Sequence, residues 1–268
     1  MSTRASIEQS VARLGGRTID LFGAGLFLWR VFTGTLVGVV RGGRPRGEVV
    51  RQLYVIGNKS LLFVGVTLGC IGMVMVYQTC LQLQKVAPDL SQVGGEFLKL
   101  LVHDFGPTLT GMMLATRVGA GIAAEIGSMK VTEQIDALRM SGVRPIDYLI
   151  VPRFIACLIS TVVLSIFAVV IAWFLGGVTA ATSFDVNPDL FYDISKVTWT
   201  HLGLGLTKAV AYGCAIPIIS GFCGLRAQGS SEGVGWATTA AVIGSSFAVI
   251  VLDFIISAFG LLVLGEGL

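Results

Sequence analysis

Long apolar runs alternate with short charged segments along the chain, and this pattern predicts membrane-spanning helices. Residues 60–84 carry no charge at all, and neither do residues 154–184. Residues 236–262 form a third long run, with Asp253 as its single charged residue. Each run exceeds the roughly 20 residues that a helix needs to cross a bilayer. We therefore predict a spanning helix in each of these three regions.

Two further runs are apolar but interrupted by ionisable residues. Residues 97–122 contain His103, Asp104 and Arg117. We interpret this run as a span because without it the loop charges cannot be placed consistently. Residues 198–225 contain Lys208, and they contain Pro217, which is expected to kink the helix. The chain is therefore predicted to be an all-α integral membrane protein with about five transmembrane helices.

The N-terminal region has a different pattern. Residues 19–40 are apolar and rich in glycine, but Arg30 lies near their middle. This arrangement favours an interfacial helix or a shallow elbow over a full span. We accordingly divide the chain into an N-terminal interfacial or elbow region, 1–48, and a membrane domain, 49–268.

Composition agrees with a membrane protein and excludes a nucleic-acid-binding class. Hydrophobic residues make up 54% of the chain and charged residues 13%, against about 25% charged residues in soluble domains. The net charge is only +3, and the basic residues are dispersed, so there is no basic stripe of the kind that binds nucleic acid. The five cysteines lie in apolar stretches without metal-ligand spacing and are interpreted as apolar fillers.

The distribution of basic residues predicts the orientation in the membrane. With the N-terminus inside, 15 Lys and Arg residues fall on the cytoplasmic side and four on the other side. This asymmetry has the direction that the positive-inside rule requires. Residues 1–18 contain no apolar run long enough for a signal peptide. We expect a bacterial inner-membrane protein with a cytoplasmic N-terminus and a periplasmic C-terminus.

One long polar segment interrupts the hydrophobic region, between the second and third predicted spans. Val131, Ile135 and Leu138 repeat at helical spacing, Ser128 is a candidate N-cap, and Gly142 is a candidate stop. The pattern predicts a short amphipathic cytoplasmic helix, which is either a solvated connector or a helix that docks on a cytoplasmic partner. The polar residues that would serve docking are Glu125, Lys130, Glu133, Gln134, Asp136 and Arg139.

Ionisable residues inside spans are costly and usually face a cavity or a partner. His103 and Asp104 are therefore candidates either for contact with a lipid head group or for structural pairing. For Asp253 we favour structural pairing with a basic or polar group of a neighbouring helix. In the first span, Met73, Val76 and Tyr77 offer apolar surface suited to acyl chains.

The sequence does not indicate that the chain catalyses a reaction. The sequence contains no phosphate-binding loop, no arrangement of nucleophile and base, and no metal cluster. The chain is therefore predicted to bind and move a substrate without being an enzyme, and to need no cofactor. A stand-alone secondary transporter or channel and an intramembrane lipid-modifying enzyme remain alternatives, although no internal repeat of the secondary-transporter kind is evident.

Several segments together resemble the MlaE/YrbE family of ABC transporter permeases. They are AEIGSMKVTEQIDAL at 124–138, followed by Pro145 and Val151-Pro152-Arg153, and EGVGWATTAAVIGSS at 232–246, followed by Leu252-Asp253-Phe254. Val50-Arg51-Gln52-Leu53-Tyr54 and Gly106-Pro107 extend the resemblance. Many members carry Arg-Glu where this chain has His103-Asp104, so the family's charge pattern is kept only if His103 is protonated.

The resemblance implies a transport function and a set of partners. It implies a homodimer that works with a cytoplasmic ABC ATPase, which binds the ATP, and with a periplasmic MCE-domain lipid carrier. Some systems add a small cytoplasmic accessory protein. The implied substrate is phospholipid or a related lipid that moves between the inner and outer membranes, which affects outer-membrane lipid asymmetry. The segment around Glu133 would be the helix that couples to the ATPase.

Overall fold

The computed structural model describes residues 2–41, 46–85 and 92–264, with side chains from 22–41, 47–85 and 92–262. The regular structure of these residues is entirely helical. The helices are α1 (Ser2–Arg41), α2 (Arg46–Leu53), α3 (Lys59–Leu83), α4 (Val93–Leu100), α5 (Gly106–Leu114), α6 (Ala120–Val131), α7 (Gln134–Met140), α8 (Val151–Phe184), α9 (Pro188–Phe191), α10 (Trp199–Leu225) and α11 (Ser231–Leu264). The predicted all-α class is confirmed.

Short π-helical turns join several of these helices into longer continuous runs. Tyr54–Asn58 connects α2 to α3, and Ile146–Ile150 leads into α8. Leu101–Phe105 and Ala115–Gly119 join α4, α5 and α6. Such turns keep the helix intact while they change the direction of side chains, and they are frequent at functional sites.

Five helices of the described chain are long and apolar enough to cross a membrane: Phe22–Arg41, Gly47–Leu83, Ile146–Phe184, Trp199–Leu225 and Ser231–Leu262. The number agrees with the prediction, but the set differs. Residues 22–41, predicted to be an interfacial or elbow helix, satisfy the criterion. The predicted span 97–122 does not, because its charged residues lower its hydropathy.

Packing nevertheless places the run 93–131 across the same thickness as α8. Near one end, the Phe97 ring lies against Gly176, where an added Cβ would be 3.0 Å from it. Near the other end, Glu125 forms an ion pair with Arg153. Residues 153–176 of α8 span about 35 Å at 1.5 Å per residue, which exceeds the roughly 30 Å of the hydrocarbon core. The run 93–131 therefore crosses antiparallel to α8.

Helix α1 packs near one end of the bundle. Its Phe27 ring lies 5.6 Å from the ring of Phe222, three residues before α10 ends. About 16 Å further along α1, Gly38 faces Asp147, just before α8 begins. If α1 crossed the membrane antiparallel to α10, its successive turns would instead contact α10 at positions further and further from Leu225. These contacts support the predicted interfacial arrangement of 19–40, although length and composition alone would allow a span.

The bundle thus has two distinct ends. We call the end formed by residues 46–59, 117–153 and 225–232 the basic end, since these segments contain nine of the chain's 19 Lys and Arg residues. We call the other end, around 93–100 and 184–201, the far end.

The largest cluster of buried hydrophobic residues lies among α5, α6, α8 and α10. Helix α3 packs closely against α8 beside it. An added Cβ at Gly72 would lie 2.5 Å from the Ala172 carbonyl oxygen, so the two backbones approach as closely as glycine permits.

Candidate functional site

A partly buried network of charges connects three of the crossing helices. It begins in the π-helical turn Leu101–Phe105, which carries His103 and Asp104. His103 Nδ1 lies 2.8 Å from Asp104 Oδ2. An ionised carboxylate can only accept, so with Asp104 ionised the imidazole donates the Nδ1 proton.

The centre of the network is Lys208 of α10, which is completely buried. Its ammonium pairs with Asp104 and also with Asp253 of α11, the latter at 3.0 Å. Sequence reasoning counted Lys208 only as an outer-side charge and did not assign it to a site. The signal that could have found it was its position inside an apolar helix, the same criterion that selected Asp104 and Asp253.

Asp253 is held by three donors on one of its carboxylate oxygens. Its Oδ1 accepts hydrogen bonds from the Tyr212 hydroxyl at 2.7 Å and from the Thr108 hydroxyl at 2.9 Å, in addition to the Lys208 ammonium. The pairing partner that the sequence left open is therefore Lys208. Three donors thus converge on one oxygen of this carboxylate inside the bundle.

The network is not fully enclosed by this chain. The side chains of Asp104 and Asp253 are 36% and 28% exposed, and that of His103 is 14% exposed. Two carboxylates face one ammonium, so the group carries one surplus negative charge while His103 is neutral. Exposure of such a group to hydrocarbon is costly. The open side must therefore face water or polar groups that lie outside this chain.

Two imidazole nitrogens border the network without partners in the described residues. They are Nε2 of His103 and Nε2 of His201, both buried. The two rings lie 6.2 Å apart, edge to face, and His201 Nδ1 accepts the Thr198 backbone N–H at the start of α10. The free nitrogens can bind water or a polar group of a ligand that enters from the open side.

The polar segment at the basic end folds differently from its sequence prediction. Helix α6 continues from the membrane through Val131, so Ser128 lies inside it and is not an N-cap. The Ser128 carbonyl accepts the Thr132 hydroxyl at 2.8 Å. The helix is interrupted at Glu133, which has a left-handed φ of 59°, and α7 begins at Gln134. The already formed α6 simply propagates through Ser128, because extension of a helix is easier than nucleation of a new one.

Helix α7 is fixed to the bundle on one side and open on the other. Ile135 is fully buried and Leu138 packs against the same core. Asp136 bridges Lys130 and Arg139, each at 3.0 Å. The hydrogen bond with Lys130 is the main reason that the pKa of Asp136 is lowered.

The outer side of α7 presents groups that a partner could reach. Glu133 and Gln134 are exposed, and Met140 is 86% exposed at the end of the helix. Gly142, with φ of 79°, then terminates the segment as predicted. Since Lys130 and Arg139 both pair with Asp136, Glu133 and Gln134 are the predicted docking residues on α7 left to meet a partner.

Comparison with known proteins assigns the family. The family model described as "Permease MlaE" matches residues 49–259. The chain belongs to the MlaE permease family.

Individual relatives cover nearly the same length. This permease is 34% identical over 256 residues to the intermembrane phospholipid transport system permease protein MlaE of Haemophilus influenzae, covering 94% of this chain and 97% of the relative. It is 34% identical over 222 residues to a probable ABC transporter permease protein of Synechocystis sp., covering 82% and 84% of the two chains. A probable ABC transporter permease protein of Rickettsia felis is also 34% identical, covering 78% and 81%.

One predicted docking residue of the permease has a different environment. Glu125 lies on α6, and its Oε2 is 2.8 Å from Nη2 of Arg153, a residue that is only 4% exposed. Arg153 also donates to the Leu149 carbonyl. Glu125 thus compensates a buried charge at the start of α8 and connects two helices. Sequence alone did not reveal this because the two residues are 28 positions apart.

The predicted acyl-chain contacts on α3 are only partly accessible. Val76 is fully buried and packs against Gly176 of α8, so this structure gives it no surface that a lipid could reach. Helical spacing cannot distinguish a packed face from a lipid-facing one when both are apolar. Met73 is half-buried, and Tyr77 is exposed beside the Phe184 ring, at 5.3 Å.

A separate apolar groove lies between α8 and α10. It has a volume of about 530 Å³, and its walls include Val169, Leu202 and Leu206. The groove lies on the α8 side of α10, whereas Lys208 joins α10 to α11 on the other side. None of the predicted lipid-binding residues lines it.

Proposed function

We propose that this chain is the permease subunit of an ABC transporter that moves phospholipid between the inner and outer membranes of a bacterium. The observation that carries the proposal is the partly open charge network of Asp104, Lys208 and Asp253 inside an apolar bundle. The family assignment and the relatives' names support the same function.

The substrate site is formed between two copies of the chain. About five crossing helices are too few to enclose a two-tailed lipid, whereas two copies related by a twofold axis form a shared cavity. The open side of the network then faces this cavity, where water and the lipid head group reach it. Asp104 and His103 contact the head group, and an ammonium of a zwitterionic head group balances the surplus carboxylate charge. The acyl tails lie along the accessible face of α3 near Met73 and Tyr77.

Coupling to ATP hydrolysis occurs at the basic end. Helix α7 docks on a separate cytoplasmic ABC ATPase through Glu133, Gln134 and Met140. Helix α7 adjoins the continuous run 93–131, which carries His103 and Asp104 further along. A displacement of α7 is therefore transmitted to the network through an unbroken helical rod.

The remaining parts of the system follow from the family resemblance. A periplasmic MCE-domain protein receives or delivers the lipid at the far end, and a small cytoplasmic accessory protein is an optional addition. The basic end faces the cytoplasm. The permease itself binds neither ATP nor another cofactor.

The coupling assignment is tested by Glu133→Lys in cells that co-express the neighbouring ATPase gene. We expect the variant to insert normally, but to lose ATPase association or to hydrolyse ATP without lipid movement, because the exposed charge is reversed at the docking face. Asp189→Lys, an equivalent reversal at the exposed far end, is the control. Co-purification of the ATPase and transfer of fluorescent phospholipid between liposome populations are measured. Wild-type values of both for Glu133→Lys contradict the assignment.

The charge network also favours a second candidate, a stand-alone ion-coupled transporter, since such proteins use carboxylates within the membrane. The two functions are separated by energy source. Lipid transfer by the reconstituted permease alone, driven by a proton gradient in the absence of ATP, would establish the alternative. Transfer that requires both the ATPase and ATP supports the ABC permease.

A further inference from the structure

A crevice at the basic end separates α1 from the turn that precedes α8. Its volume is about 460 Å³. Its lining consists of Arg30, Thr33, Gly34, Val37 and Arg41 from α1, and Arg144, Pro145, Ile146 and Asp147 from the turn. None of these residues belongs to the charge network or to α7.

The spacing of the α1 residues makes the crevice a continuous helical face. Positions 30, 33, 34, 37 and 41 follow the i, i+3, i+4, i+7 rule, so they lie along one side of the helix. Arg30 and Arg41 stand at its two ends, about 16 Å apart. Gly34 and Val37 form the middle. An added Cβ at Gly34 would lie 3.3 Å from the Ile146 side chain, so α1 and the turn approach each other closely here and a larger side chain at position 34 would fill the crevice.

The charge of the crevice is strongly positive. Three guanidinium groups face a single carboxylate, that of Asp147. Arg144 Nη1 and Asp147 Oδ2 are 4.0 Å apart, and their side chains are 66% and 40% exposed, which makes this a weak surface pair. Arg30 and Arg41 form no ion pair with any side chain that the structure describes. The crevice therefore carries two uncompensated positive charges above a partly apolar floor.

The position of the crevice matches the head-group region of a bilayer. It lies beside Ile146, where the run that leads into α8 begins. Trp29 and Tyr148 next to it are 64% and 45% exposed, as expected for aromatic residues at a membrane interface. Val40 is 86% exposed on α1 and would contact acyl chains there.

From these observations we propose that the crevice binds an anionic phospholipid of the surrounding membrane, which is distinct from the transported lipid. Its phosphate is held between Arg30 and Arg144 by charge-assisted hydrogen bonds, and Arg41 binds a second anionic group where the lipid has one. An acyl chain follows the floor at Gly34 and Val37. A basic pocket between helices at a membrane surface is the usual setting for such recognition. The bound lipid joins α1 to the turn before α8.

The site is tested by photo-crosslinking with the full-length chain in nanodiscs. The probes are phosphatidylglycerol and phosphatidylcholine that carry the same diazirine-labelled acyl tail, and the labelled peptides are mapped by mass spectrometry. We expect the anionic probe to label peptides covering 29–41 and 143–151 at least about fivefold more than the zwitterionic probe, since each basic residue near a surface contributes about a factor of five. Arg30→Gln and Arg144→Gln should each lower that labelling about fivefold.

Lys59→Gln is the matched control, because it removes an exposed positive charge at the same end but outside the crevice. Gly34→Leu provides a second, steric variant that leaves every charge in place and should lower labelling by filling the crevice.

Equal labelling by the two probes, or unchanged labelling in the arginine variants, overturns the proposal. Loss of labelling on addition of excess inorganic phosphate would assign the site to free phosphate and overturn the lipid assignment. Asp104→Asn should leave this labelling unchanged, which separates the crevice from the transport site.

Discussion

Removal of the buried ammonium at position 208 is the most direct perturbation of the intramembrane network. In Lys208→Met a side chain of similar length replaces the cation, so the change acts mainly on charge. Asp104 and Asp253 then lose the group that they share. Asp253 keeps its hydrogen bonds from Tyr212 and Thr108, but the two carboxylates are left as uncompensated like charges inside the bundle.

The expected loss of stability is about 3–5 kcal/mol, the usual cost of removing one partner from a buried ion pair. Loss of a hydrogen bond alone within a membrane protein would cost only about 0.6 kcal/mol on average. A value toward the lower end of the range applies here, because Lys208 is fully buried but the two carboxylates are 36% and 28% exposed. Adding Asp253→Asn should restore part of the lost stability, since it removes one of the stranded charges.

Lys196→Met is a matched control in the same chain. Lys196 pairs with Glu96 at 3.1 Å, but the two side chains are 34% and 59% exposed. Surface pairs of this kind contribute about 0–1 kcal/mol. The two variants thus remove the same group from a buried pair and from an exposed one.

The free energy of unfolding can be measured by titrating each purified variant with SDS in mild-detergent micelles. In a Cys70→Ser background, reaction of the buried thiols Cys80 and Cys157 with a fluorescent maleimide reports the unfolded fraction. If Lys208→Met differed from wild type by no more than the Lys196→Met control, the assignment of a stabilising ion network would be refuted.

Three further predictions concern single positions. Glu125→Gln should destabilise the protein by about 1–2 kcal/mol, less than a fully buried pair because the carboxylate is half-exposed, and the same SDS titration measures it. Val76→Trp should lower the yield of folded protein, measured by fluorescence-detected gel filtration, because over-packing of a closed core costs about 1–3 kcal/mol; a well-folded variant with selectively reduced bound lipid would instead place Val76 in a cavity. In a Cys70→Ser background, a cysteine at Asp189 should react with a membrane-impermeant maleimide added from the periplasmic side, and one at Ser141 should not; the reverse pattern would contradict the proposed orientation.

Short-range patterns in the sequence determined much of the fold. The uncharged run 60–84 and the run 154–184 predicted α3 and α8 because hydropathy over about 20 residues is a local property. Gly142 predicted the end of the polar segment for the same reason, as its left-handed φ is a local requirement. The start of α7 was misplaced at Ser128, since whether a helix continues or restarts depends on the preceding turn, which here is anchored in the membrane.

The sequence by itself therefore determined the membrane class, the apolar spans and the positions where a charge needs compensation. Only the tertiary structure decided which groups compensate each charge. Asp104, Lys208 and Asp253 are separated by more than 40 residues from one to the next, yet they meet because three helices pack side by side. The structure likewise decided that Val76 is core and Tyr77 is accessible, although both lie on one apolar helix. The composition of a helix shows which side chains could be buried. The helix that packs against it determines which of them are buried.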